Sequence, residues 1–332
     1  MATYKEIRGT QIEAVATDPS NPVEGQVWYN TTSNVLKGLA VTTSGSFASI
    51  PSLNNGRTGL AGAGTATSAL VFNGYFPPSP SPEASALTEL YNGSSWTEVN
   101  DANEKVIGGG GAGVSNTSAL RWGGTHGPAT GETETESWNG TNWTEVNDLN
   151  TGRDLIPSAG TGPATAIVFA GGRSSTKPKA ELWNGTNWTE VNDMNSGKSA
   201  ATCFGTSTAA IITAGAGGPD GATESWNGTN WTEVNDLNTP RSQGWGCGAS
   251  QSAGILMGGE SPNRANVELF NGTNWSETTD IPAGRNNGAA SKSGTTSSLL
   301  WAGGTEGSTP SMTVSMEWTG PGVAQTRTFD DS

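Results

Sequence analysis

The sequence predicts an all-β propeller of four-stranded blades, and three observations carry the prediction. A unit of about 45 residues recurs along most of the chain. Each good copy contains an Asn-Gly dipeptide followed by a Trp-led strand pattern. Each copy is also preceded by a short apolar run that closes on small residues. Self-similarity at a fixed period of this length marks a repeat architecture, in which one unit cannot bury its own faces and must stack on the next.

Residues 136–148 read Glu-Ser-Trp-Asn-Gly-Thr-Asn-Trp-Thr-Glu-Val-Asn-Asp, and nearly the same string returns at 181–193 and 224–236. Looser copies occupy 89–101, with Tyr91 and Ser95, and 268–280, with Phe270 and Thr278. The second Trp falls at Trp96, Trp143, Trp188, Trp231 and Trp275, spaced by 47, 45, 43 and 44 residues. Asn-Gly favours a type I′ turn, which needs positive φ at both central residues, so each string reads as two strands joined by a tight hairpin. Trp143-Thr144-Glu145-Val146 alternates apolar and polar, the period of a strand with one face buried.

The apolar runs lie at 69–74, 119–124, 166–172, 210–215, 254–259 and 299–304. They read as buried strands ending at a Gly turn. The Gly, Ala and Ser stretches before them, such as 158–162, suit the crowded innermost strand of a blade. Four strands per unit make a sheet with two apolar faces, and radial stacking closes such sheets into a ring.

This pattern resembles the kelch motif: a basic residue, an inner strand, a Gly-Gly pair, an aromatic, then a Trp. The basic position reads Arg57, Arg153, Lys198, Arg241 and Arg285. The resemblance covers 57–332 in six repeats, about 57–101, 102–148, 149–193, 194–236, 237–280 and 281–332. The sixth is degenerate: Trp318 keeps the first aromatic, and 325–329 stands where the Trp strand should be. The hairpin also resembles the Asp-box turn of sialidase-like propellers. Asn stands in place of the Asp and the spacing to Trp is short, so the likeness is read as structural.

Residues 1–56 differ in composition. Pro22, Gly25, Trp28-Tyr29, Thr31-Thr32 and Leu36-Lys37 resemble a small three-stranded β meander found near the ends of phage fibre and other virion proteins. The Asn-Gly-Thr-Asn-Trp repeat itself looks like sequences in marine bacteriophage structural proteins. The resemblance implies a virion anchor at 1–56, with Trp28, Tyr29 and Leu36 as its contact residues. Residues 53–57 align with 149–153, so 47–52 sits where a blade's outer strand belongs. With 325–329 assigned to the sixth repeat, this segment is expected to form a divergent seventh blade. The alternative is a six-bladed ring with 1–56 as a separate anchor.

Composition narrows the function classes. The chain has 332 residues, 33% of them hydrophobic, yet it carries 13 Trp and 48 Gly, so aromatics and close-packed glycines must build the core. Its formal charge of −14 repels phosphate backbones and anionic membranes, so no nucleic-acid or membrane partner is expected. No run of about 18 apolar residues and no secretory h-region occurs, so neither membrane insertion nor a signal peptide is expected. Cys203 and Cys247 are 44 residues apart and are read as small buried side chains at one position of adjacent repeats. A bridge between them is the alternative.

Candidate chemistry is sparse. His126 is the single histidine, in a loop, and reads as a solvated side chain with no catalytic or metal role. One His also excludes a copper-radical oxidase site. Glu145, Glu190 and Glu233 recur in every good copy, whereas an active site is one asymmetric place; they read as solvent-facing partners of the repeated Arg or Lys. Asp148, Asp193, Asp236 and Asp280 read as turn caps, with no Asp-x-Asp-x-Asp-Gly calcium loop. No cofactor is expected. The irregular loops are the better candidates, because loops on a rigid scaffold carry function. They hold Tyr75 and Phe76, His126, Arg173 and Lys177, and Asn263 and Arg264. The expected function is a non-enzymatic phage virion protein, made in the host cytoplasm and present in many copies. It would contact other virion proteins, and its loops would bind a host-surface glycan, a receptor or another protein. The alternatives are a capsid decoration or tail assembly element, and a glycan-acting enzyme.

Overall fold

The computed structural model describes residues 12–20, 22, 26–41, 44–76, 83–126, 131–154, 164–173, 178–216, 221–260, 264–307, 309, 312–322 and 324–329. The chain divides into two compact units, Ser46–Thr319 and Met1–Gly45 joined by Gly320–Ser332.

The larger unit is a six-bladed propeller. Five antiparallel sheets follow the repeats, each running outward in chain order. In the third blade the described strands are Ile167–Ala170, Ala180–Trp183 and Trp188–Val191. The sixth blade has Ala289–Ala290, Ser298–Ala302 and Ser315–Thr319, and its outer strand is Ser46–Ile50, from the other end of the sequence. Trp318 pairs with Phe47 in that register, and their ring centroids lie 4.8 Å apart.

Ring closure can be followed through single atoms. The second residue of each Gly-Gly position donates its N–H to the carbonyl of the basic position of the next blade. The six bonds run Gly74 to Val106, Gly124 to Arg153, Gly172 to Lys198, Gly215 to Arg241, Gly259 to Arg285 and Gly304 to Arg57, at 2.7–3.0 Å. The sixth returns to the first blade, so among the described residues six blades close the ring. A Cβ on Gly74 would fall 2.7 Å from the Thr58 carbonyl, and its φ is +93°, so backbone approach and handedness both select glycine.

The seventh-blade expectation therefore fails for a definite reason. The segment at 46–50 supplies the missing outer strand of blade six. The strand expected there, now Ala324–Phe329, pairs instead with Val35–Val41 in the smaller unit. That unit is a four-stranded sheet in which Glu13–Val15 runs parallel to Val27–Asn30. Its expected third meander strand has left for the propeller, and the boundary falls at 45/46 and 319/320 rather than at 56. Asp18 organises the unit, accepting from Trp28 Nε1 at 3.0 Å, Asn30 Nδ2 at 2.7 Å and Lys37 Nζ at 2.8 Å. Lys37 in the first place holds its carboxyl down at about 2.

The basic residues of the repeat are buried, and their partner is not the carboxylate expected from the sequence. Arg57, Arg153 and Arg241 pair with Glu89, Glu181 and Glu268, at 2.9, 2.8 and 2.6 Å, all with fully buried side chains. These Glu open the hairpin string. The downstream carboxylates, Glu98, Glu190 and Glu277, bond Asn55, Thr151 and Thr239 at the exposed edge. The buried Glu also receives the entry loop of its own blade: Glu181 Oε2 accepts the Asn150 backbone N–H and side-chain amide, each at 2.9 Å. Departures from the repeat are coordinated. In blade two Val106 takes the basic position, and Arg121, where blade one has Val71, reaches Glu136 from the neighbouring strand. In blade six Met316 replaces the Glu and Pro282 the Asn. Arg285 then pairs with Glu306 at 2.7 Å and lies over the Trp301 ring.

The outer Trp of a blade packs backward on the preceding blade, as blades two and three show. Trp143 meets Phe72 with centroids 4.9 Å apart and donates to Thr88 Oγ1, and Trp188 meets Trp122 and donates to Thr135 Oγ1. Trp231 has no such acceptor, because Ala180 stands at the Thr position.

The hairpin differs from the I′ expectation. Only the Gly is left-handed, at φ +91° to +94° in all five copies, and the preceding Asn carboxamide accepts the two following backbone N–H groups, as Asn139 does for Thr141 and Asn142. An amide ladder links these turns. Asn100, Asn147 and Asn192 each donate to the Asn of the next blade's turn, at 2.7–2.9 Å, and Asn235 does the same to Asn274. Each of the three inner copies is thus donor to one neighbour and acceptor from the other, which explains their near-identity. The ladder ends where the ring is closed by a foreign strand: Thr279 replaces the donor Asn in blade five, and Ser95 the acceptor Asn in blade one.

Cys203 and Cys247 are both buried on innermost strands. They are one residue out of step in the repeat, five and six residues after Lys198 and Arg241. Successive strand residues point to opposite faces, and the two thiols accordingly lie in different core clusters. Burial pushes each thiol up to about 12. The native protein should leave both thiols unmodified by an alkylating reagent at pH 8 and react at both after denaturation, read by intact mass; modification of the folded chain would contradict this.

One end of the propeller axis is crossed by the first turn of blade six. The Ser293 N–H donates to Gly64 O at 2.8 Å, its hydroxyl to Gly113 O at 3.1 Å, and Lys292 Nζ to Gly246 O at 3.1 Å. The opposite end carries the blade entries and the loops after the Gly-Gly positions.

Candidate functional site

At that opposite end the backbone repeats while the side chains do not. The second residue after each basic position is left-handed: Gly59, Gly108, Ala200, Gln243 and Asn287, with φ between +52° and +66°. Their amides form an arc about the axis, Gly108 to Gly59, Gly59 to Asn287, Asn287 to Gln243 and Gln243 to Ala200, at 2.7–3.3 Å. Above it stand the residues that follow the Gly-Gly positions: Tyr75, Thr125, Arg173, Ala216, Glu260 and Thr305. Tyr75, Thr125, Ala216, Glu260 and Thr305 are tied by backbone bonds to the entry loop of their own blade, as Tyr75 is to Thr58 at 2.9 and 3.2 Å. Six equivalent places therefore hold six chosen side chains.

Blades five, six and one make this crown polar. Asn287 Nδ2 donates to Gln243 Oε1, and Gln243 Nε2 donates to the Glu260 carboxylate. Thr58 and Thr305 hydroxyls lie 3.1 Å apart. The Tyr75 ring packs on Gly59. Burial first, and the Glu260 carboxylate second, hold the Tyr75 phenol above its ordinary range. In blade three Arg173 Nε meets Asp154 Oδ2 at 3.2 Å. An aromatic face beside amides, hydroxyls and one carboxylate can stack on and hydrogen-bond a polyhydroxylated or peptide ligand.

Of the residues singled out in the sequence, Tyr75 and Arg173 belong to this crown. Phe76 lies one residue farther along, paired with Glu83, and Arg264 is half-buried beside the entry loop of blade six, whose Arg285 N–H its carbonyl accepts. His126 stands over blade two. Lys177 and Asn263 lie outside the described residues. Trp28 is buried, Leu36 half-buried, and only Tyr29 among the three anchor candidates is exposed. The sequence reading missed Glu260, Gln243, Asn287 and Thr305. Their signal was their variation at equivalent repeat positions, visible once the repeats are aligned on the Gly-Gly pair.

Around His126 the structure gathers carboxylates. Its Nε2 lies 3.9 Å from Glu104 Oε2 and 4.0 Å from Glu132 Oε2. One ligand atom from each of His126, Glu132 and Glu134 lies within 4.8 Å of the others. The alternating acids of 132–136 signalled this grouping, since residues two apart share a face of an extended chain.

The fold and the crown define a six-bladed propeller with one differentiated axial face. The solved structure titled "Structure of YjhT" matches it with a TM-score of 0.62 at 12% identity, covering 80% of this chain and 95% of that one, which shows the shared fold. No family model and no curated protein matches the sequence.

Proposed function

We propose that this chain is a non-catalytic component of a phage particle, a kelch-like propeller that offers its axial crown to a host-surface glycan or a protein. The observation that carries the binding reading is the contrast between the two sets of polar residues. The repeated carboxylates and amides are consumed in structural bonds that recur from blade to blade, whereas the six crown positions hold five different side chains, only Thr occurring twice. Catalysis of the acid–base kind needs distinguishable carboxylates set apart for the task, and the recurring ones are committed to Arg and Asn. The virion setting is supported by the likeness of the N-terminal segment and of the Asn-Gly-Thr-Asn-Trp strings to phage structural proteins. In this reading the smaller sheet docks on the particle, with Tyr29 as its exposed aromatic.

An antibody raised against the propeller should label phage particles at tail fibres or tail tip. Purified protein should then bind host cells, and Tyr75→Ala with Glu260→Ala should lower that binding at least tenfold without changing the melting temperature by more than a few degrees. Label spread over the capsid would move the reading to a decoration protein; free protein in the lysate with no label would remove the virion setting.

A further inference from the structure

We propose that His126, Glu132 and Glu134 hold a divalent first-row transition-metal ion at the edge of the crown. Three independent features point there. The first is the tautomer. His126 Nδ1 lies 2.7 Å from the Lys105 carbonyl, which can only accept, so the proton sits on Nδ1. That leaves Nε2 as the ring nitrogen facing the carboxylates, and its lone pair is the one available to an ion. A ring nitrogen fixed by a backbone carbonyl is the usual outer-shell device of a metal-bound imidazole.

The second is the spacing. Nε2 and the carboxylate oxygens of Glu132 and Glu104 stand 3.9–4.0 Å apart, too far for a hydrogen bond. An ion about 2.0–2.2 Å from each of two ligands bridges up to roughly 4 Å. Side-chain rotation covers the remaining tenths for the widest pair.

The third is an orphan. Glu134 is half-buried, and its Oε2 atom is shielded from solvent with no hydrogen-bond partner among the described residues. A buried carboxylate oxygen without a donor is costly, and a bound ion is one of the few things that explain it. One imidazole with two carboxylates, and Glu104 at the margin, suits Zn²⁺ or Mn²⁺ over Ca²⁺, which prefers an all-oxygen shell. The site does not depend on the crown binding a host ligand, and its test uses none.

The probe is Zn²⁺ added to the full metal-free chain in equilibrium dialysis. One equivalent should bind, and His126→Ala and Glu132→Gln should each weaken it about tenfold or more. The chain has a single histidine and two buried thiols, so few competing ligands exist. The ¹⁵N spectrum of that one imidazole gives a second reading. The metal-free protein should show the Nδ1–H form, and Zn²⁺ should shift Nε2. No bound zinc, zinc bound equally by both variants, or an Nε2–H ring in the metal-free protein would each overturn the assignment.

Discussion

A chain lacking residues 1–50 should lose the propeller, whereas the segment 46–319 should keep it. Trimmed alike to 51–319, the failing chain differs from the sound one by five residues, Ser46–Ile50, that form the outer strand of blade six. Without them Trp318, now fully buried, loses the Phe47 ring, and the ladder from Ser315 to Thr319 loses its partners. Exposing one large aromatic costs roughly 2–3 kcal/mol, and each lost strand bond about 0.5–1.5 kcal/mol. The bare strand would also be an open edge, free to pair with another chain. Thermal unfolding and gel filtration of the two fragments measure this; equal melting temperatures would contradict the closure role of the strand. The same geometry governs any test of the smaller unit as an anchor, which must remove 1–45 and 320–332 and spare residue 46.

Replacing Glu181 by Ala should destabilise the propeller by about 3–5 kcal/mol, because the Arg153 guanidinium would stay buried without its counter-charge. Burial already pulls the Arg153 pKa down, and Glu181 is the main opposing influence. The Asn150 backbone N–H would lose its acceptor, and its side-chain amide would keep only the Trp188 carbonyl. Breaking one partner costs far more than replacing the whole buried group with apolar side chains. Blade six shows the Glu and Asn replaced by Met316 and Pro282, with its Arg285 paired to Glu306 instead. The combined variant Asn150→Pro, Arg153→Leu, Glu181→Met should therefore melt above Glu181→Ala in calorimetry. A combined loss equal to or larger than the single one would show that the lock supplies more than charge compensation.

Much of the architecture was legible in the residues. Period, hairpin strings and Gly-Gly positions depend on local backbone demands, which short stretches of sequence express directly. They led to four-stranded blades, buried outer Trp residues and the order of strands within each blade. Local signals also explain the errors. Asn-Gly suggests a I′ turn, but the Asn carboxamide captures the amides two and three residues on and only the Gly turns left-handed. Glu145 and Glu190 recur as faithfully as Glu136 and Glu181, and recurrence does not tell which side of a strand is buried next to an arginine.

By itself, then, the sequence determined the repeating unit, its strands and the residues that pack one blade on the next, because each is written within about 45 residues. Only the tertiary structure decided the blade count, the provenance of the closing strand, the carboxylate that meets each buried arginine, the opposed directions of Cys203 and Cys247, and the meeting of Tyr75, Glu260, Gln243 and Asn287 at one mouth. These depend on which chain segments come together around a closed ring, and segments more than 200 residues apart, such as 46–50 and 315–319, carry no mutual signal until the ring shuts.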